Sequence, residues 1–340
     1  MAVSVTIQPS GRSFLAEPSE TLLDSALRHG VSLNYNCNNG SCGNCSARLL
    51  SGELSDCLPH DHVFKEHEKA QNTFLLCRCK PLTDLVIEAS EAHSSAEVPE
   101  QSIETLVHKV ESIGDDIRII QLRTPRTKTL QFLAGQHVSL LFKGLEPRNK
   151  SIASCPCNGM YLQFHVRYVP GDEFSEYVFK KLKPREKVMV TGPYGDFQFK
   201  DESTRSIIFV AFDTGMAPIK SLIEHAIALD KTQPTYLYWL VDEFSSHYQG
   251  NYCRSWVDAL DNFNYIPLDI QYQNNHIVDI DRLKAGLKKM AELIVNNHSQ
   301  IKDYDIYING PAWLFSDMRE VFESKGVTSE QIVIDSMKRY

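Results

Sequence analysis

The residues of this chain with the clearest chemical meaning are four cysteines. Cys37, Cys42 and Cys45 follow the spacing C-x4-C-x2-C, and Cys77 follows after a longer gap. This arrangement is typical of a 2Fe-2S cluster, in which each iron takes two thiolates. Structural zinc usually needs two C-x2-4-C pairs or added histidines, so the spacing favours iron over zinc. We predict that these four residues bind a 2Fe-2S cluster.

Glycine and asparagine surround the first three cysteines. Gly40 and Gly43 permit a sharp bend and let backbone N–H groups approach the cluster sulfur atoms. Asparagine tolerates the turn conformations that such a loop requires, and five asparagines occur here: Asn34, Asn36, Asn38, Asn39 and Asn44. The segment is therefore expected to form a tight loop around a bound cluster.

Five further cysteines lie outside this pattern: Cys57, Cys79, Cys155, Cys157 and Cys253. The N-terminus carries no export signal and no apolar run is long enough to span a membrane, so we expect a cytoplasmic protein with reduced thiols. The five are interpreted as structural or incidental thiols, although Cys79 lies close enough to Cys77 to exchange with it as a ligand. The histidines of the stretch HDHVFKEH are interpreted as a solvated face: His60, His62 and His67.

Charge and composition exclude some classes of function. The chain has 340 residues and a formal net charge of −8, and 42% of its residues are hydrophobic. An acidic chain of ordinary composition is not expected to bind nucleic acid or to be disordered. Residues 1–98 hold 12 acidic and 7 basic side chains, and such a surface can steer toward a basic patch on a partner protein.

Periodicity divides the chain into three segments. The first predicts a hairpin over residues 3–14, a helix that begins after Ser19 and ends at Gly30, and later strands. The second, after a polar linker at 90–102, has six short alternating strands typical of an antiparallel barrel. The third alternates strands and helices, which indicates a parallel doubly wound sheet. We predict a multidomain chain with boundaries at 1–97, 101–200 and 203–340.

The segments and motifs, in this order, resemble a known family over essentially the whole chain. The stretch PSGRSFLAEPSETLLDSALRHGVSLNYNCNNGSCGNC and the motifs below are similar to ferredoxin-type flavin reductases with an N-terminal 2Fe-2S domain. That family includes reductase components of methane, phenol and benzoate oxygenases and the dehydrase reductase of CDP-sugar biosynthesis. The resemblance implies a β-grasp ferredoxin domain, an FAD-binding antiparallel β-barrel and an α/β parallel-sheet domain for NAD(P).

The flavin motif R-x-Y-S of the family corresponds to PRNKSIAS, with Arg148, Lys150 and Ser151 in the motif positions. Arginine and serine supply donors for a diphosphate. Lys150 replaces the tyrosine that normally covers one face of the flavin ring. We therefore expect the flavin to be covered differently or held less tightly, and we hypothesise that the Lys150 charge raises the potential of the reduced flavin.

A second flavin motif, P-G-G-x-x-S/T, corresponds to the stretch PGDEFS. By the resemblance, Gly171 and the N–H groups of Phe174 and Ser175 hold the flavin diphosphate at the start of a helix. Asp172 replaces the second glycine of the pattern.

The dinucleotide motif G-G-T-G-x-x-P corresponds to FDTGMAP. Thr214, Gly215 and Pro218 are retained, whereas Phe212 and Asp213 stand in the place of glycines. We expect Asp213 to cap the following helix with its own carboxylate and to compete with an incoming diphosphate. Two interpretations stay open: impaired or altered binding of the dinucleotide, or a helix cap without a ligand.

Further positions bear on the same ligand. Asp242, with Glu243 after it, ends a predicted strand where many relatives place an arginine, and a carboxylate there favours NADH over NADPH. Gly310 and Pro311 match the family stretch Y-x-C-G-P-P, with Asn309 in the place of the cysteine. Tyr340 at the end of the chain is expected to be a disordered tail.

The leading hypothesis is an oxidoreductase that passes electrons from NADH through FAD and a 2Fe-2S cluster to a separate acceptor protein, such as an oxygenase, a dehydrase or a ferredoxin. An alternative is an electron carrier that has a degenerate nucleotide site and receives its electrons from another donor. A third is a colourless scaffold that keeps only the fold, and the complete set of cysteines argues against it.

Overall fold

Three β-sheets organise the computed structural model. It describes residues 2–35, 37–55, 57–92, 94–125, 129–242, 246–270, 280–311 and 315–337. Each sheet has its own apolar core, and the sheets follow one another along the chain. Glu243 and Tyr340, which the sequence analysis singled out, lie outside the described residues.

The first sheet has five strands in the order β2-β1-β5-β3-β4. Strand β1 pairs antiparallel with β2 and parallel with β5, which is the mixed pairing of a β-grasp fold. Helix α1 packs across it because its apolar side chains lie on one face. The elements are β1 (Val3–Gln8), β2 (Ser13–Ala16), α1 (Leu22–Arg28), β3 (Ser46–Ser51), α2 (Glu66–Ala70), β4 (Thr73–Leu75) and β5 (Leu85–Glu88).

The second sheet is a six-stranded antiparallel barrel in the order β10-β7-β6-β11-β8-β9. Its strands alternate buried and exposed residues, as in β11, where Val188 and Val190 face the core. The prediction of a small barrel is confirmed. The elements are β6 (Gln101–Ile113), β7 (Ile117–Arg123), β8 (His137–Phe142), β9 (Arg148–Ser151), β10 (Tyr161–Arg167), α3 (Glu173–Lys180) and β11 (Lys187–Tyr194).

The third sheet is parallel throughout, in the order β14-β13-β12-β15-β16. The chain moves outward from β12 to β14, then crosses to the other side of β12, so the strand order reverses beside it. Ligands of such sheets bind at the carboxyl ends of the strands at this reversal. The elements are β12 (Ser206–Phe212), α4 (Met216–Ala228), β13 (Thr235–Asp242), α5 (Gly250–Ala259), β14 (Phe263–Ile270), α6 (Ile280–Asn297), β15 (Tyr304–Pro311), α7 (Phe315–Glu323) and β16 (Ile332–Met337).

The start of α1 differs from the sequence prediction. Thr21, not Ser19, is the N-cap, and its hydroxyl oxygen accepts a hydrogen bond from the N–H of Asp24. The helix end is as predicted, because Gly30 follows it with a φ of 71°.

The linker between the first sheet and the barrel is packed rather than loose. Ala92 and Val98 are buried against Leu133 of the barrel, and the hydroxyl of Ser95 donates to the carboxylate of Asp196. Among the described residues, no helix is both long and apolar enough to cross a membrane.

Candidate functional site

The four predicted cluster ligands come together as two pairs. The N–H of Cys42 donates to Sγ of Cys37 at 3.3 Å, and the Sγ atoms of Cys45 and Cys77 are 3.2 Å apart. The N–H of Asn44 also points at Sγ of Cys42, at 3.5 Å. Two pairs of thiols, with loop amides directed at sulfur, fit a centre in which each of two irons takes two thiolates.

Within each pair, one thiol is more acidic than the other. Burial acts to raise the pKa of Cys37, but hydrogen bonds from Asn39, Ser41 and Cys42 lower it to about 6. The contact with Cys77 lowers the pKa of Cys45, and the same contact raises the pKa of Cys77. A metal would displace the protons that remain on these thiols, because the thiolate is the form that binds metal.

The loop at residues 37–45, called the cysteine loop, has a backbone shape that requires its glycines. Gly40 and Gly43 have φ values of 83° and 79°, a region that residues with a Cβ avoid. A Cβ on Gly40 would lie 2.5 Å from Cβ of His60, and one on Gly43 would overlap the ring of His62. The segment 57–62 thus covers the cysteine loop.

This placement changes the interpretation of one histidine. His60 is exposed as expected for a solvated face, but His62 is half-buried against the cysteine loop, and its N–H donates to the carbonyl of Gly40 at 3.0 Å. His67 is exposed. No three His, Cys, Asp or Glu side chains in the described part of the chain form a group able to hold a single metal ion.

The interpretation of the remaining cysteines as unpaired thiols is wrong for four of them. Cys57 is disulfide-bonded to Cys79, and Cys155 to Cys157, because the fold brings their Cα atoms to 4.3 Å and 5.1 Å. Cys253 alone of the five is a free, buried thiol. The first disulfide attaches the segment 57–62 beside Cys77.

The flavin motif occupies β9 and the start of α3. Arg148 and Lys150 extend from the same face of β9, and both lie over the ring of Phe174, with Cζ at 5.7 Å and Nζ at 5.3 Å from its centroid. Ser151 ends the strand and pairs with His137 of β8. Two cations therefore face the N-terminus of a helix, an arrangement suited to a diphosphate.

Two of the three predicted diphosphate donors already have partners. The N–H of Ser175 donates to Asp172 at 2.9 Å, and the N–H of Gly171 points at Glu176 at 3.4 Å. Asp172 is also the N-cap of α3 and accepts from Nη2 of Arg148 at 2.6 Å. The carboxylate of Asp172 thus occupies part of the predicted diphosphate site.

The expected role of Asp213 as a helix cap is wrong. The N-cap of α4 is Gly215, without a side-chain hydrogen bond, and the carboxylate of Asp213 instead takes two hydrogen bonds from Nε of Arg167, at 2.8 Å and 3.0 Å. Asp213 has a φ of 51°, which explains why glycine suits this position. Arg167, whose Nη1 also pairs with Asp116, neutralises the charge expected to repel a dinucleotide.

A buried amide lies at the strand reversal. Asn309 is completely buried, its Nδ2 donates to Asp335 at 2.9 Å, and its Oδ1 makes no hydrogen bond within the described residues. A Cβ on Gly215 would lie 2.5 Å from the carbonyl oxygen of Asn309 and 2.8 Å from Oδ1. The glycine therefore permits close contact between α4 and β15.

The other predicted dinucleotide residues border this point. Thr214 is buried in the 3-10 turn Asp213–Gly215, and Pro218 lies in the first turn of α4. A Cβ on Gly310 would lie 2.9 Å from Phe315. Asp242 and Pro311 end β13 and β15 at the carboxyl edge of the sheet, and their side chains lie outside the described part.

The first sheet contacts the barrel just before the cysteine loop. The hydroxyl of Tyr35 donates to the carbonyl of Leu130 at 3.4 Å, and Gln131 donates to Asn34 at 3.2 Å. Sequence reasoning missed these residues and Arg167, because each acts through a partner far along the chain. The position of Arg167, three residues before the start of the PGDEFS motif, was the available indication.

Comparison with known proteins agrees with this geometry. Residues 5–82 match the 2Fe-2S iron-sulfur cluster binding domain, and residues 104–199 match the oxidoreductase FAD-binding domain. The protein RfbI of Salmonella typhimurium is 32% identical over 99% of this chain and 97% of its own length. The CDP-6-deoxy-L-threo-D-glycero-4-hexulose-3-dehydrase reductase of Yersinia pestis is 31% identical over 79% of this chain and 80% of its own length.

Solved structures show the same fold over the whole chain. A cytochrome P450 reductase from Amycolatopsis aligns with a TM-score of 0.60 and 24% identity, covering 98% of both chains. Fold and cysteine loop together define an iron–sulfur flavoprotein that transfers electrons. The chain belongs to the ferredoxin-type flavin reductases, with a 2Fe-2S domain followed by an FAD-binding domain, and it is an oxidoreductase of that kind.

Proposed function

We propose that the chain receives a hydride from NADH on FAD and delivers electrons singly, through its 2Fe-2S cluster, to a separate acceptor protein in the cytoplasm. The observation that carries this proposal is the pairing of four cysteines, Cys37 with Cys42 and Cys45 with Cys77, beside a contact with the barrel. When bound, the flavin supplies the change from two-electron to one-electron transfer.

The residues assigned to each cofactor follow from their positions. The cluster is held by Cys37, Cys42, Cys45 and Cys77. FAD is held by Arg148, Lys150, Ser151, Gly171, Phe174 and Ser175, and NADH by Thr214, Gly215, Pro218, Asp242, Gly310 and Pro311. We place the domain boundaries at 1–97, 101–200 and 203–340.

The chain's own groups prepare the dinucleotide site in two ways. Arg167 offsets the charge of Asp213 at the entrance, and Oδ1 of Asn309 offers a buried acceptor beside Gly215. Asp242, at the carboxyl end of β13, supports NADH over NADPH because a carboxylate repels a 2′-phosphate.

The named relatives suggest the kind of acceptor. They include a dehydrase reductase, the phenol hydroxylase P5 protein of Acinetobacter pittii and a terephthalate 1,2-dioxygenase reductase component from Comamonas. We infer that this chain likewise serves an oxygenase or dehydrase.

A second candidate function has support from one contact. The ion pair between Asp213 and Arg167 stands at the dinucleotide motif, where the family pattern has glycine. A chain that receives its electrons from another donor would not need to break this pair. Anaerobic titration separates the two. In the proposed function NADH bleaches both flavin and cluster absorption, NADPH does so more slowly, and dithionite adds nothing further. Bleaching by dithionite without a response to either nucleotide would support the second function instead.

The cluster assignment has its own test. Cys45→Ser should remove iron and the low-temperature EPR signal of the reduced protein. Cys253→Ser, which changes a buried thiol in the third domain, should keep both. Full iron content in Cys45→Ser would contradict the ligand set.

A further inference from the structure

We propose that Asp172 acts as a built-in competitor of the flavin diphosphate and that Lys150 supplies the positive charge that offsets it. The inference rests on the proposed FAD site and concerns how tightly this chain holds FAD. Neither residue type belongs to the R-x-Y-S and P-G-G patterns that the chain otherwise follows.

Asp172 holds the groups that a diphosphate needs. One carboxylate oxygen accepts from Nη2 of Arg148 at 2.6 Å, and the other accepts from the N–H of Ser175 at 2.9 Å. Both side chains of the ion pair are largely buried, with 12% of Asp172 and 21% of Arg148 exposed. A carboxylate uses the same kind of donor on arginine as a phosphate does, so FAD and Asp172 compete for Nη2 of Arg148.

Lys150 lies where its positive charge can attract the diphosphate that the Asp172 carboxylate repels. It is two residues from Arg148 on β9, so both side chains extend from one face, and its Nζ lies 5.3 Å from the centroid of Phe174. A lysine here points at the helix N-terminus and lacks the flat ring that covers the flavin in relatives. Its charge therefore serves the diphosphate end of the site.

The two departures cancel in formal charge. A site with tyrosine and glycine at these positions would have the single charge of Arg148, and adding one ammonium and one carboxylate leaves the total unchanged. Burial lowers the pKa of Lys150 to about 8, Arg148 lowers it as well, and Asp172 acts in the opposite direction. The affinity for FAD should thus depend on the sum of the two charges, with each residue contributing separately.

A double-mutant cycle on the full chain tests this. The variants are Asp172→Asn, which keeps an N-cap residue, Lys150→Met, and the two combined. FAD is removed, and the affinity of each variant is measured by quenching of FAD fluorescence at several salt concentrations. Because a charge-assisted hydrogen bond changes in each single variant, Asp172→Asn should bind FAD about tenfold more tightly and Lys150→Met about tenfold more weakly. The FAD affinity of the double variant should return to within about threefold of the parent affinity. Its dependence on salt concentration should match that of the parent.

Matched controls are available on α3 and just beyond its end. Glu173→Gln removes an exposed carboxylate next to Asp172, and Lys183→Met removes an exposed lysine beyond the far end of α3. Both should keep the parent affinity. Far-UV circular dichroism and the thermal unfolding curve report that the barrel of each variant is folded, and Asp172→Ser replaces Asp172→Asn if the latter does not fold.

Each remaining outcome decides the matter. The proposal is overturned if Asp172→Asn leaves affinity unchanged or weakens it, or if Lys150→Met changes only the flavin potential. A parent protein that binds no FAD at all would instead refute the proposed function.

Discussion

Arg12 should hold the iron–sulfur domain against the rest of the molecule. It lies in the turn between β1 and β2, and its Nη1 is 3.2 Å from Asp201 and 3.6 Å from Glu91. Its Nε donates to Glu202 at 2.9 Å. Asp201 and Glu202 belong to the segment between the barrel and the third sheet, so this arginine links distant parts of the chain.

The cost of removing Arg12 follows from burial. Across the contact, the side chains of Arg12 and Asp201 are only 15% and 20% exposed, so Arg12→Met removes a cation from a largely buried carboxylate of the neighbouring segment. Removing one partner of a buried pair costs about 3–5 kcal/mol, whereas exposed pairs contribute about 0–1 kcal/mol. Since Arg12 is partly exposed and Glu202 mostly so, we expect a loss of about 2 kcal/mol, or about thirtyfold in the docking equilibrium.

Hydrogen exchange measures this loss where the domains meet. In Arg12→Met, amides at 30–35 and 129–133 should exchange faster, and the cluster should be reduced more slowly after the flavin. Arg28→Met is the control, because its pair with Glu20 lies within the first domain and both side chains are well exposed. Equal exchange in Arg12→Met and the parent, or an equal effect of Arg28→Met, would refute the reasoning.

Other perturbations have definite expected results. FAD affinity should fall as pH rises through about 8, because the diphosphate binds the charged form of Lys150 and that charge is lost above its pKa, and Lys150→Met should flatten this dependence. Gly215→Ala places a Cβ 2.5 Å from the carbonyl oxygen of Asn309 and should cost about 1–3 kcal/mol in thermal unfolding, with weaker NADH binding by titration. Gly43→Ala should lower iron content, because its φ of 79° and the ring of His62 both exclude a Cβ; unchanged iron would contradict the account of the loop.

The parts of the site that depend on short stretches of sequence were predictable. The positions of the three loop cysteines depend on a few neighbouring residues, with glycine at the bends. The strands could be predicted from the alternation of apolar and polar residues within each segment. These local patterns also gave the order of the three domains and the fold class.

Pairings between distant residues were not predictable in the same way. Asp213 was expected to cap α4, but its backbone conformation at φ 51° directs the carboxylate to Arg167, 46 positions earlier. Likewise Cys57 meets Cys79 only because the segment after β3 returns across the cysteine loop. Periodicity describes which face of an element is buried, and it does not specify which charged groups on neighbouring elements meet.

The packed linker has a consequence for the timing of electron flow. Ala92 and Val98 fix the connection between the iron–sulfur domain and the barrel against Leu133, so this connection does not act as a free tether. The interval between flavin oxidation and cluster reduction is then set by a fixed separation rather than by a diffusive search. Raising the solvent viscosity with glycerol should leave the rate of that internal step unchanged and should slow only the encounter with the acceptor.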